Sequence, residues 1–307
     1  MENVHSIQYK FGSKEEQLPN FNQAFPYIAS YAELDKFIGR QVPWHWHKEV
    51  ELFFIESGVL EYYTPRGKTV FPAGSGGLVN SNVLHMTKPQ DGVINTTQQE
   101  HIFNTSIIGG QQGSIFEQKY VTPLTAASQI EIIGLHPQSA KEAELLELLK
   151  LSFKLSKEAH SYEMKLRNML TEIWCGLLDV SEDLRSIEGG KDKSCDKVKM
   201  MLIYIHEHFT EKITIAKIAA AAYVSQRECF RVFRKNLHMT PAEYLTDYRL
   251  RQSCHLLAES NQPITEIGHA CGLGSSSYFG KVFRDAIGKS PMEYRNKWQN
   301  RDTSGQK

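Results

Sequence analysis

The feature that most constrains this chain is an internal repeat in its last hundred or so residues. Val232-Phe233-Arg234 returns as Val282-Phe283-Arg284, Thr240-Pro241 as Ser290-Pro291, and Glu243-Tyr244 as Glu293-Tyr294, each 50 residues later. Ile218 returns as Ile267, 49 residues later. A period of that length holds one supersecondary unit written twice. The one-residue slip falls between the front and rear of each unit, where a turn absorbs it.

Each copy reads as helix, tight turn, helix. In the first, Thr214 is placed to cap a short helix through Ile215, Ile218, Ala219 and Ala222, Tyr223-Val224 turns the chain, and Ser225 caps a second helix from Gln226 to Asn236. Spacings of three and four put Cys229, Val232 and Phe233 on the inner side of that helix. Gln226, Arg227, Phe230, Arg231 and Arg234 take the outer side. Small residues at 219–222 let the two helices approach closely, and the basic outer face is what a major groove accepts. In the second copy Pro263 and Thr265 start a helix, Cys271-Gly272-Leu273-Gly274 makes the turn, and Ser275 begins a helix through Ala286. Tyr278, Phe279, Val282 and Phe283 are expected inward, with Ser276, Ser277, Gly280, Lys281 and Arg284 outward. Ala242 to Glu259 forms the connecting helix.

Charge agrees with that division. The net charge is zero, but residues 1–190 hold 16 Lys and Arg against 23 Asp and Glu, about −7, leaving 19 against 12, about +7, for residues 191–307. The 307 residues, 41% of them hydrophobic, suffice for about two packed domains. No run approaches the roughly 18 to 20 apolar residues of a membrane helix, and Met1 to Phe21 is polar, so neither secretion nor membrane insertion is expected and a cytoplasmic location follows. Five cysteines, none before Cys175 and no two in a Cys-x-x-Cys pair, argue against a disulfide framework or a zinc finger. Cys229 and Cys271 read as small core residues.

Ahead of the repeat the chain is of another kind. Between Phe25 and about Leu135, short β-rich runs broken by Gly, Pro and Asn predict a sandwich or barrel: Val50 to Ile55, Leu60 to Thr64, Thr69 to Phe71, Gly77 to Val79 and His101 to Ile108. From Ala140 the spacing turns helical, with Leu145, Leu149 and Phe153 on one stripe, Leu148, Leu151 and Leu155 beside it, then Leu166, Met169, Leu170, Ile173 and Leu177. Ile187 to Cys195 reads as a linker, and the helix beyond it carries Val198, Met201, Leu202, Ile205 and Phe209 at intervals of three and four.

With these residues in hand, the C-terminal part resembles the AraC/XylS family of regulators, whose DNA-binding domain has two such units and closes on Gly-x-[Ser/Thr]-Pro-x-x-[Tyr/Phe]-Arg, here Gly288 to Arg295. The match covers about Cys195 to Trp298. It implies two second helices in successive major-groove segments, about one DNA turn or ~34 Å apart. Carried over by position, Gln226, Arg227, Phe230 and Arg231, with Ser276, Ser277, Gly280 and Lys281, face the bases, and Arg234, Lys235 and Arg284 hold phosphates. Two departures weaken the second unit as a reader: Gly268 replaces a typical alanine, and Gly280 costs up to ~1 kcal/mol inside a helix.

The spacing Gly39-x5-His45-x-His47-x3-Glu51-x6-Gly58 resembles the first motif of cupins, small β-barrels that can hold a metal through two histidines and a glutamate. Alternation along a strand would point His45, His47 and Glu51 one way, with His85 from a neighbouring strand as a fourth ligand. Three nitrogens and a carboxylate suit Fe(II), Mn, Ni or Zn. The same stretch resembles the sensing cupin of AraC-type regulators, which commonly take a sugar or another small metabolite without a metal. On that resemblance Trp44, His45, Trp46, His47, Glu51 and His85 contact the ligand, the tryptophans either stacking on a sugar ring or forming the wall.

The expected architecture is therefore α+β and multidomain: a cupin-like sensing barrel at 1–138, a helical dimerisation or coupling segment and linker at 139–190, an all-α DNA-binding domain with two helix-turn-helix units at 191–300, and a tail at 301–307. The expected function is transcription regulation without catalysis. Its partners are double-stranded DNA, a small effector such as a sugar, a second copy of the chain and, for an activator, RNA polymerase. No cofactor is required, a divalent metal in the barrel being the open alternative, and a metal-dependent cupin enzyme or metal sensor fused to a DNA-binding domain is the rival reading.

Overall fold

A computed structural model describes residues 2–4, 15–18, 21–22, 24–186 and 194–302. They fall into two compact units, one ending before residue 187 and one beginning at Ser194. The expected linker lies outside the described residues except for Ser194-Cys195, which already belong to a helix, and the tail is described only to Asp302.

The N-terminal unit is built on ten strands: β1 Glu2–Val4, β2 Tyr27–Glu33, β3 Val42–His45, β4 Val50–Ser57, β5 Val59–Thr64, β6 Gly67–Pro72, β7 Gly76–Val79, β8 His85–Pro89, β9 Thr97–Phe103 and β10 Ile132–Leu135. Two short helices, α1 Ser106–Gly109 and α2 Thr122–Thr125, precede β10, and α3 Ala140–Ser152, α4 Tyr162–Val180 and α5 Glu182–Ser186 follow it. The strands form a six-stranded sheet, β1-β2-β9-β4-β7-β10, and a four-stranded sheet, β3-β8-β5-β6. The expected barrel is thus corrected to two stacked sheets, for among the described residues no strand pairs into both. The consecutive strands β4 and β5 do not pair with each other. Gly58 turns the chain from one sheet to the other at φ 76°, where a Cβ would strike Thr96, so the sheet does not wrap continuously.

Register sets what each face of the large sheet carries. Opposite residues of an antiparallel pair share a face, so Val50 and Phe103, and Leu52 and His101, lie on one side, and Glu51 with Ile102, Phe53 with Glu100 and Ile55 with Gln98 on the other. The first side packs under α3 and α4 in a core that includes Leu149, Phe153, Leu166, Leu170, Ile173 and Trp174. The second meets the small sheet through Phe53, Ile55, Leu60, Tyr62 and Phe71. Fully burying side chains of this size contributes about 1.5–3 kcal/mol each, enough to hold both faces covered. The strand expected over His101 to Ile108 ends at Phe103, because Asn104 Oδ1 accepts from the Ser106 backbone N–H and turns the chain into α1. Leu151 was placed on the apolar stripe of α3 but is 52% exposed, and Leu146 is buried in its stead.

The C-terminal unit is helical: α6 Ser194–His208, α7 Ile215–Ala221, α8 Gln226–Leu237, α9 Pro241–Glu259, α10 Ile264–Ala270, α11 Ser276–Ile287 and α12 Pro291–Asp302. Thr214, Ser225 and Ser275 cap α7, α8 and α11 as their positions predict, each accepting a backbone N–H three residues on. Thr240 and Glu243 close a capping box at the start of α9.

Candidate nucleic-acid interface and sensing pocket

α8 and α11 are the second helices of the two repeats. In α8, Cys229, Val232 and Phe233 are buried and Gln226, Arg227, Phe230, Arg231, Arg234 and Lys235 exposed, as the spacing predicts. Arg231 does not stand alone. Its Nε donates to Glu228 Oε2 and one Nη to Glu228 Oε1, both at 2.7 Å, and these bonds hold the Glu228 carboxyl down at about 2. Lys197 of α6 approaches the same carboxylate at 3.6 Å.

In α11, Phe279 and Phe283 are buried, and Ser276, Ser277, Lys281 and Arg284 are exposed. Tyr278 departs from the expected inward set: it is 53% exposed. It follows Ser276 and Ser277 in the first turn of α11, and Phe279 fills the core against Gly268, where a Cβ would lie 3.0 Å from its ring. Gly268 therefore has a packing reason. Gly280 is half-buried and a Cβ there would meet nothing within 4 Å. The turns differ as well. Tyr223 takes the left-handed φ of 55° in the first, and Gly272 takes 68° in the second, where a Cβ would stand 2.6 Å from the Phe209 carbonyl oxygen.

The four candidate ligands lie between the two sheets. His45 ends β3, His85 opens β8 as its register partner, Glu51 sits in β4, and His47 stands in the connection between β3 and β4. Strand alternation is therefore not what brings them together, since His45, His47 and Glu51 share no strand. They converge nonetheless: one ligand atom from each of His45, His47, Glu51 and His85 lies within 4.8 Å of all the others, and all four residues are buried.

The histidines are oriented from behind. Nδ1 of His45 donates to Pro43 O at 2.8 Å, that of His47 to Glu49 O at 2.9 Å, and that of His85 to Val83 O at 2.9 Å. A carbonyl only accepts, so each Nδ1 carries the proton and each Nε2 is the nitrogen left for the pocket. Nε2 of His47 and of His85 both lie 3.3 Å from Glu51 Oε2, and Tyr62 donates to Glu51 Oε1 at 2.8 Å. The His85 Nε2 is buried and has no hydrogen-bond partner among the described residues. Burial pushes the Glu51 carboxyl up, but the hydrogen bond from His47 and the closeness of the His47 and His85 imidazoles outweigh it and hold the group well below the carboxylate range. Burial lowers His47, yet Glu51 lifts it to about 9. Burial, then the neighbouring His85 and His47, keeps His45 well below its ordinary value.

Further acidic and polar groups, absent from the sequence-based set, line the same space. Glu16 is buried, its carboxylate 3.8 Å from His45 Nε2, and burial raises it to about 7. Glu100 accepts from Ser30 Oγ at 2.5 Å and from Gln98, and burial with the Glu51 charge raises it to about 8. The polar positions 98 and 100, alternating along β9, were the available signal. Trp44 and Trp46 are both buried.

A family model described as a helix-turn-helix domain matches residues 218–297. An uncharacterized HTH-type transcriptional regulator of Bacillus subtilis, YdeC, is 28% identical over 270 residues, 87% of this chain and 91% of that protein. The HTH-type transcriptional activator RhaS of Salmonella arizonae is 32% identical over 109 residues, 36% of this chain, and the chain spans only 39% of that relative's length. A solved transcriptional regulator of Chromobacterium violaceum with an AraC-type DNA-binding domain is 28% identical over 33% of this chain and 91% of that one, at a TM-score of 0.32. The paired helix-turn-helix units define a DNA-binding protein. The chain is similar to AraC-type transcription regulators, with a β-rich domain ahead of its helix-turn-helix DNA-binding domain.

Proposed function

We propose that the chain is a cytoplasmic, non-enzymatic one-component regulator whose N-terminal domain takes up a divalent transition metal at His45, His47, Glu51 and His85. The observation that carries this reading is the convergence of three Nε2 atoms and one carboxylate, each imidazole locked by a backbone carbonyl behind it. A set of three nitrogens and one oxygen suits Zn, Ni, Fe(II) or Mn. The ion would supply a fixed positive charge that anchors a small polar effector, such as a sugar or another oxygen-rich metabolite, beside Ser30, Gln98 and Glu100. Trp44 and Trp46 serve as wall rather than as stacking platforms, because both are buried.

Effector binding then biases DNA occupancy by α8 and α11. Gln226, Arg227, Phe230 and Arg231 of α8, and Ser276, Ser277, Gly280 and Lys281 of α11, face the bases, and Arg234, Lys235 and Arg284 hold phosphates. A homodimer joined through α3 and α4 fits the exposed Leu151 and Met164. Relatives named as activators support contact with RNA polymerase. No helix among the described residues is long and apolar enough to cross a membrane.

Two measurements test this. Protein purified without chelators is expected to contain about one metal per chain, and His47→Ala and His85→Ala to lose it together with the effect of added metal or chelator on DNA binding. A metal-free wild type with an unaltered DNA response would remove the metal from the reading. Binding of duplex DNA across a salt series is expected to show Arg234→Ala, Lys235→Ala and Arg284→Ala each flattening the salt dependence by about one phosphate contact. Arg231→Ala and Lys281→Ala are expected to change sequence preference instead.

A further inference from the structure

We propose that Glu228 sets the base specificity of the first helix-turn-helix unit by orienting the Arg231 guanidinium for a guanine. This rests on the reading of α8 as the helix that enters the major groove, and adds to it a residue that does not itself read the base.

Arg231 is 57% exposed, on a helix face crowded with positive charge. An exposed arginine ordinarily samples many rotamers and contacts phosphates as readily as bases. Here both oxygens of one carboxylate grip two of its nitrogens at 2.7 Å, which fixes the guanidinium plane as well as its position. Glu228 is itself held, its backbone N–H bonded to the Ser225 cap at 3.2 Å and its carboxylate near Lys197 of the preceding helix. A planar fork in a set orientation is what bidentate bonding to guanine O6 and N7 requires.

The carboxylate also works against indiscriminate binding. A negative charge beside the bases repels the phosphate backbone, so a helix selected only for grip would lack one. The repeat provides a comparison within the same molecule. Fifty residues on, position 278 is tyrosine and position 281 lysine. The second unit thus has a point charge with no plane to orient, and no carboxylate at the equivalent place. On this account the first unit discriminates more sharply than the second.

The test is selection of binding sites by the full chain from a random duplex pool, for the wild type and for Glu228→Gln, Glu228→Asp and Arg231→Ala. Glu228→Gln keeps the size and helix preference of the side chain and removes its charge. The wild type is expected to select a guanine at one position of the site. Glu228→Gln is expected to lose that preference by about tenfold, with unchanged thermal melting and equal or tighter binding to unrelated DNA, Glu228→Asp to recover part of it, and Arg231→Ala to abolish it. If Glu228→Gln leaves every base preference intact while Arg231→Ala removes one, the orienting role is wrong and Arg231 reads the base unaided. If neither variant alters any preference, the placement of α8 on the bases fails, and the orienting role with it.

Discussion

His101 shows how one side chain can tie together three elements. Ser152 Oγ donates to Leu149 O at 2.6 Å and so accepts from His101 Nε2–H at 2.7 Å; Nδ1 then accepts the Tyr27 hydroxyl, also at 2.7 Å. The ring lies on Phe153, centroids 3.8 Å apart and nearly parallel. Burial pushes this imidazole down to about 3, so it stays neutral in the folded domain while the unfolded chain takes up a proton near pH 6.5. The unfolded state therefore binds more protons between those values, and the stability His101 contributes is present above pH 6.5 and lost as pH falls toward 3. Urea unfolding followed through this domain is expected to show about 2 kcal/mol less stability at pH 5 than at pH 8 from this group alone. In His101→Gln that part of the pH dependence should vanish; an unchanged slope would assign the effect elsewhere.

Helices α8 and α11 share a plan and differ in what interrupts it. Their caps were legible because a serine ahead of a periodic run has one local job, and the observed Ser225 and Ser275 bonds depend on three residues of sequence. The outward turn of Tyr278 was not legible. Apolar periodicity marks which residues are able to face a core, and a tyrosine at the helix start satisfies the pattern in either direction. Only Phe279, already filling the space against Gly268, decided it. Gly280 has open space at its Cβ position, so packing does not require glycine there. Gly280→Ala is expected to stabilise the C-terminal unit by about 0.5–1 kcal/mol in thermal unfolding, since alanine restricts the unfolded chain and favours helix. A simultaneous loss of DNA affinity would mean that α11 approaches DNA too closely for a methyl group.

Across the whole molecule, the N-terminal and C-terminal units answer to different chemistry. A metal that binds only the folded N-terminal unit stabilises it by about 2.7 kcal/mol at a hundred times its dissociation constant. Calorimetry with added Ni or Zn is accordingly expected to raise the transition of that unit, and His85→Ala to remove the rise. The division into an acidic β-rich part and a basic helical part was legible from charge and from the change in apolar period near residue 140, because both are properties of local composition. So were the four candidate ligands, since histidine and glutamate at cupin-like spacing are visible in any sequence.

The sequence by itself determined the two helix-turn-helix units, their caps and the identity of the candidate ligands, all of which depend on short-range spacing or on a repeat that can be read along the chain. Tertiary structure alone decided that the strands stack as two sheets instead of closing, that His47 reaches the cluster from between strands, and that both carboxylate oxygens of Glu228 grip Arg231. Those outcomes depend on register, on the turn at Gly58 and on which of several permitted rotamers a neighbour leaves available. None of these is written in the order of residues until the chain has folded back on itself.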